Sequence, residues 1–152
     1  MQSTKQAIFM LEDKEYGLDI MDVNIIEKYM NIEPIADFPN NLKGIIRLRG
    51  DIIPVYSLRR KFGLEDIAPN EDTRLIITSS NGIRTAYEVD RMSEIVQFGD
   101  DQIYELPSII KSEDTSYIKL ISNIDDRLII LLDNDGILSG EEQDRIKAVV
   151  KQ

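Results

Sequence analysis

The sequence contains no cysteine and no histidine, and these two absences remove whole classes of chemistry. Without cysteine there is no disulfide, thiol nucleophile or thiolate metal site. Without histidine the commonest general base and metal ligand is missing, so a transition-metal site is not expected. The glycine patterns of nucleotide loops and the GxSxG nucleophile motif do not occur either. We therefore expect no metal, no cofactor and no enzymatic activity.

Tryptophan is also absent, and the 152 residues include only 4 phenylalanines. Isoleucine, leucine and valine in short runs dominate the apolar residues, which favours a sheet-rich core. Hydrophobic residues make up 42% and charged residues 30% of the chain, as in a globular protein. Its length fits one ordinary domain or two very small ones that share a core.

Positive charge is scarce, since 18 Lys and Arg face 28 Asp and Glu, for a net charge of -10. Phosphate backbones repel such a surface, so nucleic acid is not an expected partner. The N-terminus lacks a signal-peptide pattern, and no apolar run approaches the roughly 20 residues that span a bilayer. We expect a cytoplasmic protein without direct membrane insertion.

A weak internal repeat organises the chain. The segment QAIFMLEDKEYGLDI predicts a hairpin with its turn near Asp13-Lys14, and TRLIITSSNGIRTAYEVD predicts a second with its turn at Asn81-Gly82. Similar segments follow the two hairpins, YGLDIMDVNII from Tyr16 and YEVDRMSEIV from Tyr87. The order of elements therefore recurs twice.

The repeat continues with two third strands, predicted in IEPIADFP and QIYELP. Next come KGIIRLRGDIIPVYSL and SYIKLISNIDDRLIILLD, each read as strand, turn, strand and short helix. The first of these hairpins is predicted to turn at Gly50-Asp51. Five short strands in each half suit two small closed barrels, which remove exposed sheet edges.

The predicted fold is therefore all-β. We place a first subdomain at residues 1–65 and a second at residues 66–152, with FGLEDIAPNED as the connection. Ser139 and Glu142 form a capping-box pattern that predicts a C-terminal helix over EEQDRIKAVVKQ.

Two features suggest contact surfaces, and each also has a structural interpretation. Ile20, Val23, Ile26 and Tyr29 recur at three-residue spacing, so they either fill a core or line a groove for a helix. Arg49, next to Gly50, either pairs internally with a carboxylate such as Glu27 or presents donors to a partner. The consecutive residues Arg59, Arg60 and Lys61 are expected to be mostly solvated.

Four further motifs are YGLDI at Tyr16, PNNLKGIIRLRGDIIPVYSLRRKFGL from Pro39, EVD at Glu88 and DRLIILLD at Asp126. Together these motifs resemble the CheW-like domains of chemotaxis coupling proteins. The resemblance covers nearly the whole chain, and the pattern KGxxxLRGxxxPVxxL is specific to CheW-like domains. It implies two intertwined five-stranded barrels of SH3 type with short helices, and strands that can be exchanged between them.

The resemblance also implies a function. Proteins of this family are non-enzymatic adaptors that link the regulatory domain of the histidine kinase CheA to the cytoplasmic helical tips of chemoreceptors, within membrane-associated arrays. The implied kinase-binding residues are Gly44, Ile46, Leu48, Arg49, Gly50 and Asp51. The implied receptor-binding residues are Ile20, Val23 and Ile26, with Thr85 and Ala86 on the opposite wall of a groove.

Three positions depart from the family pattern. Ile25 stands where an acid often pairs with the arginine that matches Arg49, Ala86 replaces a common glycine, and Glu88 replaces an apolar residue. The methyl of Ala86 is expected to narrow the receptor groove. Two alternatives remain: a divergent CheW-like adaptor for another kinase pathway, and a carboxylate-dependent hydrolase.

Overall fold

The computed structural model describes residues 3–110 and 115–150, and these residues are built mainly of strands in two sheets. The strands are β1 (Ser3–Leu11), β2 (Lys14–Asp19), β3 (Val23–Lys28), β4 (Leu42–Leu48), β5 (Asp51–Ser57), β6 (Arg74–Ser80), β7 (Ile83–Val89), β8 (Arg91–Gly99), β9 (Ile103–Tyr104), β10 (Ile118–Ile124) and β11 (Arg127–Leu132). The α-helices are α1 (Leu58–Lys61) and α2 (Gly140–Val150). Short 3₁₀ turns span Ile20–Asp22, Asp100–Gln102, Ser108–Ile110 and Asn134–Gly136.

The two sheets repeat one strand order. One sheet runs β3-β6-β7-β5-β4, and the other runs β8-β1-β2-β11-β10 with the two-residue strand β9 added at its edge. The hairpin β6–β7 lies between β3 and β5, which come from the first half of the chain. The hairpin β1–β2 lies between β8 and β11, which come from the second half. The predicted all-β fold of two SH3-like barrels is therefore confirmed, with a short sixth strand in one sheet.

Parallel pairing joins each exchanged hairpin to its sheet. Strand β7 pairs with β5, Val55 opposite Ala86, and β2 pairs with β11, Gly17 opposite Leu131. Because each hairpin belongs to the sheet of the other half, both sheets contain strands from before and after residue 65. The subdomain division at that residue stays a prediction.

The buried apolar residues form three clusters that follow this architecture. One cluster fills the barrel of β3–β7 and includes Ile46, Ile77 and Ala86. A second fills the other barrel around Ile8 and Phe98. The third and largest lies between the barrels and beneath α2; it contains Phe9, Tyr16, Leu18, Tyr56, Leu58, Tyr87 and Ile146. A shared core is what two barrels of this size need for stability.

Local geometry explains which turn predictions succeeded. The turn at Asn81-Gly82 is confirmed, since both residues have positive φ (52° and 77°). In the β4–β5 hairpin, Leu48 pairs with Asp51, so the turn residues are Arg49 and Gly50, with φ of 52° and 86°. The predicted turn at Gly50-Asp51 was therefore one residue too late. Positive φ at both central residues is the type I′ geometry that matches strand twist.

The third strand of the first half was placed wrongly. Within IEPIADFP only Glu33 pairs, through an isolated bridge to Ile45, and the third strand is β3. Pro34 and Pro39 lack amide donors, which disfavours a strand there, whereas the β-branched residues of β3 favour one. In QIYELP the strand is limited to Ile103–Tyr104.

The predicted capping box of the C-terminal helix is confirmed. The Glu142 amide donates to Ser139 Oγ at 3.1 Å, and the Ser139 amide donates to Glu142 Oε1 at 2.9 Å. The helix is described as far as Val150, and its predicted last residues, 151 and 152, lie outside the described range.

Candidate protein-interaction site

The tip of the β4–β5 hairpin carries the most exposed of the predicted kinase-binding residues. The side chain of Arg49 is 75% exposed, and its Nη2 lies 3.9 Å from Glu27 Oε1. Asp51 is exposed too, and its Oδ2 accepts a hydrogen bond from Arg84 Nη1 at 3.0 Å. An exposed pair at 3.9 Å contributes little to stability, so the Arg49 guanidinium is available to a partner.

The other predicted kinase-binding residues lie below this tip. Ile46 is fully buried in the barrel of β3–β7, Gly44 is buried, and Leu48 is half-buried. Gly44 has φ of 149°, and a Cβ there would overlap the carbonyl of Glu33. Ile46 and Gly44 therefore support the hairpin from inside. Of the six predicted residues, Leu48, Arg49, Gly50 and Asp51 have the accessible surface.

The consecutive cations after β5 are not mostly solvated, contrary to expectation. Arg59 is 7% exposed, and its guanidinium donates two hydrogen bonds to Asp90, at 2.8 and 2.7 Å. It also pairs with Glu12 at 2.7 Å. Arg60 pairs with Asp66 at 2.8 Å, and Lys61 lies over the ring of Tyr117. Sequence reasoning missed these roles because Glu12 and Asp90, the partners of Arg59, are 47 and 31 positions away along the chain.

The predicted receptor-binding residues fall into an exposed group and a buried group. Ile26 is 40% exposed, and Ile20 and Val23 are half-buried. Thr85 and Ala86 are buried, at 1% and 0% exposure. The structure therefore leaves Ile20, Val23 and Ile26 accessible, whereas Thr85 and Ala86 act as support.

Sheet register shows which of these side chains share a face. Val23 pairs with Thr78, and Thr78 pairs with Thr85, so all three side chains lie on one face. Ala86 is the next residue along β7 and points to the other face, into the barrel cluster with Ile77. The methyl of Ala86 thus fills the barrel interior and points away from Val23 and Thr85.

The two other family departures have local partners. Lys43 Nζ donates to Glu88 Oε1 at 2.7 Å, and both side chains are less than one fifth exposed. Ile25 packs against the barrel cluster around Ile46 and Ile77. Arg49 instead pairs with Glu27, which lies two residues after Ile25 on β3.

The carboxyl of Asp22 lies beside the accessible receptor-binding residues. Burial raises the pKa of Asp22 above its usual range, and the charge of Asp19 adds to this effect. Lys119 opposes the shift, while Asp135 and Asp133 reinforce it. The surface next to Ile20 therefore carries a cluster of acids that repel one another.

A groove next to the hairpin tip was not predicted from sequence. It has a volume of about 570 Å³ and lies between the β4–β5 turn, the β6–β7 turn and helix α2. Its walls include Ile52, Ile83, Arg84, Ile146, Lys147 and Val150. No sequence signal joined the helix to these turns, because the three segments meet only in the folded chain.

Residues 3–110 and 115–150 were searched for metal-ligand groups and for membrane-spanning helices. In this part of the chain no group of three or more acidic side chains is arranged to hold a metal ion. No helix among these residues is long and apolar enough to cross a bilayer. The exposed hairpin tip and the two apolar surfaces described above suit protein recognition.

Comparison with known proteins places this arrangement in a family. Residues 6–142 match the model of the CheW-like domain. The chemotaxis protein CheW of Klebsiella aerogenes is 32% identical over 144 residues, which cover 95% of this chain and 87% of that protein. CheW of Helicobacter pylori is 30% identical over 130 residues, 86% of this chain and 78% of that protein.

A solved structure has the same fold. The scaffolding protein TtCheW from Thermoanaerobacter tengcongensis superposes with a TM-score of 0.83 at 31% identity, covering 93% of this chain and 92% of that one. Arg49 and the β6–β7 hairpin lie within residues 6–142, which the family model matches. The chain therefore belongs to the CheW-like domain family and is a chemotaxis scaffold protein.

Proposed function

We propose that this protein is a non-enzymatic adaptor that couples cytoplasmic chemoreceptor tips to the regulatory domain of a CheA-type histidine kinase. The exposed tip of the β4–β5 hairpin is the observation that carries the proposal. It presents Arg49, Gly50 and Asp51 to solvent at the centre of the family's LRG motif. The protein reaches membrane receptor arrays through these partners.

The kinase-binding surface consists of Leu48, Arg49, Gly50 and Asp51. A type I′ turn holds this tip rigidly, so little conformational entropy is lost when a partner binds. The guanidinium of Arg49 offers a planar set of donors for a carboxylate or backbone carbonyls of the kinase. Buried Ile46 anchors the strand behind the tip.

The receptor-binding surface consists of Ile20, Val23 and Ile26. These residues give an accessible apolar strip beside β6, which suits the apolar face of a receptor helix. Ile26 and Glu27 are neighbours on β3 and point to opposite faces of the strand, so the strip lies on the side of β3 away from Glu27 and Arg49. This separation allows the receptor and the kinase to bind at the same time. Coupling by an adaptor requires this simultaneous binding.

Calorimetric titration with the purified regulatory domain of the cognate CheA-type kinase tests the kinase assignment. Wild-type protein is expected to bind saturably, and Arg49→Ala is expected to weaken binding while the melting temperature stays the same. Lys5→Ala, a charge removal on the other barrel, serves as the control. No binding by the wild type at concentrations well above micromolar would reject this partner and favour an adaptor for another kinase pathway.

A further inference from the structure

The groove between the β4–β5 turn, the β6–β7 turn and helix α2 has an apolar floor. Ile146 and Ile83 are 1% and 6% exposed and form the base, while half-buried Ile52 and exposed Val150 form the walls. A space of about 570 Å³ accepts one or two large side chains. Gly50 and Gly82 lie at the entrance, and there is open space beside both.

The position of helix α2 depends on a buried carboxylate at its start. Glu142 accepts hydrogen bonds from Tyr56 Oη and from Asn41 Nδ2, both at 3.1 Å. Residues spaced by four share one helix face, so Glu142, Ile146 and Val150 all point toward the barrel of β3–β7. Lys147 follows Ile146 and lies at the groove's edge.

The charge at this edge is opposite to that of the molecule as a whole. The chain has a net charge of -10, yet the groove is bordered by Arg84 and Lys147 and by one acid, Asp51. Asp51 already pairs with Arg84. Lys147 is exposed and has no ion-pair partner among the described residues. An unpaired cation next to an apolar floor is complementary to an apolar side chain flanked by a carboxylate.

We propose that this groove extends the kinase-binding surface: an apolar side chain of the CheA-type regulatory domain inserts over Ile83 and Ile146, and a kinase carboxylate pairs with Lys147. The inference rests on the proposed function, because the groove begins at Gly50 and Asp51 of the kinase-facing hairpin. It assigns binding to helix α2, for which the motif resemblance predicted no partner.

Titration with the same kinase regulatory domain tests the inference, at low and at moderate salt. Lys147→Gln removes the charge without placing an acid at the helix C-terminus, where it would oppose the dipole. It is expected to weaken binding severalfold at low salt and less at high salt. Val150→Asn places a polar amide on the apolar wall, again without an acid at the helix C-terminus, and is expected to weaken binding severalfold. Lys14→Gln, an exposed lysine on the β1–β2 hairpin, is the matched control and should bind as the wild type does.

The outcomes separate the groove from the underlying function. If Arg49→Ala weakens binding while both Lys147→Gln and Val150→Asn bind like the wild type, the groove has no role and the adaptor function stands. If the wild type does not bind the kinase domain, the proposed partner and the groove assignment both fail. Circular dichroism melting of each variant shows that weakened binding does not come from unfolding.

Discussion

Tyr16 and Tyr87 occupy equivalent positions in the two exchanged hairpins, and each pairs with a strand from the other half of the chain. Tyr16 lies opposite Ile130, and Tyr87 lies opposite Tyr56, both in parallel register. The two tyrosine rings belong to the central cluster, where Tyr87 meets Tyr56 edge-on at 5.6 Å and Tyr16 stacks on Phe62 at 5.0 Å. Separating the barrels would expose this cluster, so the protein is expected to unfold in one transition.

Asp90→Asn is expected to destabilise the protein in a pH-dependent way. Burial alone would raise the pKa of Asp90, but hydrogen bonds from Arg59 and from the Glu12 amide outweigh it and lower the pKa below its ordinary value. The ionised carboxylate therefore stabilises the fold above the unfolded-state pKa of about 4, and this contribution is lost as the pH falls through the lower folded-state value. The variant leaves Arg59 with Glu12 as its remaining carboxylate partner, so the expected cost is about 1.5–3 kcal/mol at pH 7.

Urea unfolding at pH 7 and at pH 3 measures this effect. The difference between Asp90→Asn and wild type should shrink at the lower pH, because the Asp90 carboxyl of the unfolded wild-type chain is then largely protonated and this favours unfolding. Asp72→Asn, on an exposed loop, is the control. An equal difference at the two pH values would show that the charge of Asp90 does not contribute.

Two glycines of the β4–β5 hairpin are expected to respond differently to alanine. Gly50→Ala places a side chain at φ of 86° with no atom within 4 Å, so only backbone strain of about 1–2 kcal/mol is added. Gly44→Ala adds a clash with the Glu33 carbonyl and should destabilise by more than about 3 kcal/mol. Thermal melting compares the two, and a larger loss for Gly50→Ala would contradict the close backbone contact at Gly44.

Much of the fold could be predicted because its signals are local. The Asn81-Gly82 turn and the Ser139–Glu142 capping box each depend on a few adjacent residues. The role of Arg59 could not be predicted, since its partner Asp90 is 31 positions away. In IEPIADFP the apolar residues favoured a third strand, but Pro34 and Pro39 lack amide donors and were the correct signal against it.

The candidate site was likewise predictable where its signals are local and not where they depend on long-range contacts. The exposed tip follows from the motif around Arg49, but the face of each receptor-binding residue depends on register. A β-bulge between Val23 and Ile25 shifts the pairing with β6, so three-residue spacing did not indicate which side chains are exposed. The groove under α2 depends on the Glu142 anchor, and this contact joins residues 86 positions apart.

Asp22→Asn is expected to stabilise the protein at neutral pH. Burial and the nearby Asp19 charge raise the pKa of Asp22, so its folded-state pKa lies above the unfolded value. A raised folded-state pKa means that stability falls as the pH rises from the unfolded value through the folded one. Asparagine cannot ionise, so the variant should be more stable than wild type at pH 7, by less than about 1 kcal/mol, and this gain should vanish near pH 3. Denaturant unfolding over that pH range checks the sign, and a variant less stable than wild type at pH 7 would contradict it.

Ile26→Glu and Ala86→Gly together distinguish surface contact from core support at the proposed receptor-binding surface. Ile26 is 40% exposed, so glutamate there should cost about 1 kcal/mol of stability or less while strongly weakening binding to a receptor-tip helical fragment. Ala86 is fully buried and faces the barrel interior, so glycine should cost about 1 kcal/mol and leave receptor binding unchanged. Sedimentation of each variant with the receptor fragment, paired with thermal melting, measures both effects.

Stronger receptor binding by Ala86→Gly would indicate that its methyl does reach the groove and that the face assigned from the β6–β7 register is wrong. Unchanged binding by Ile26→Glu would instead remove β3 from the receptor-binding surface.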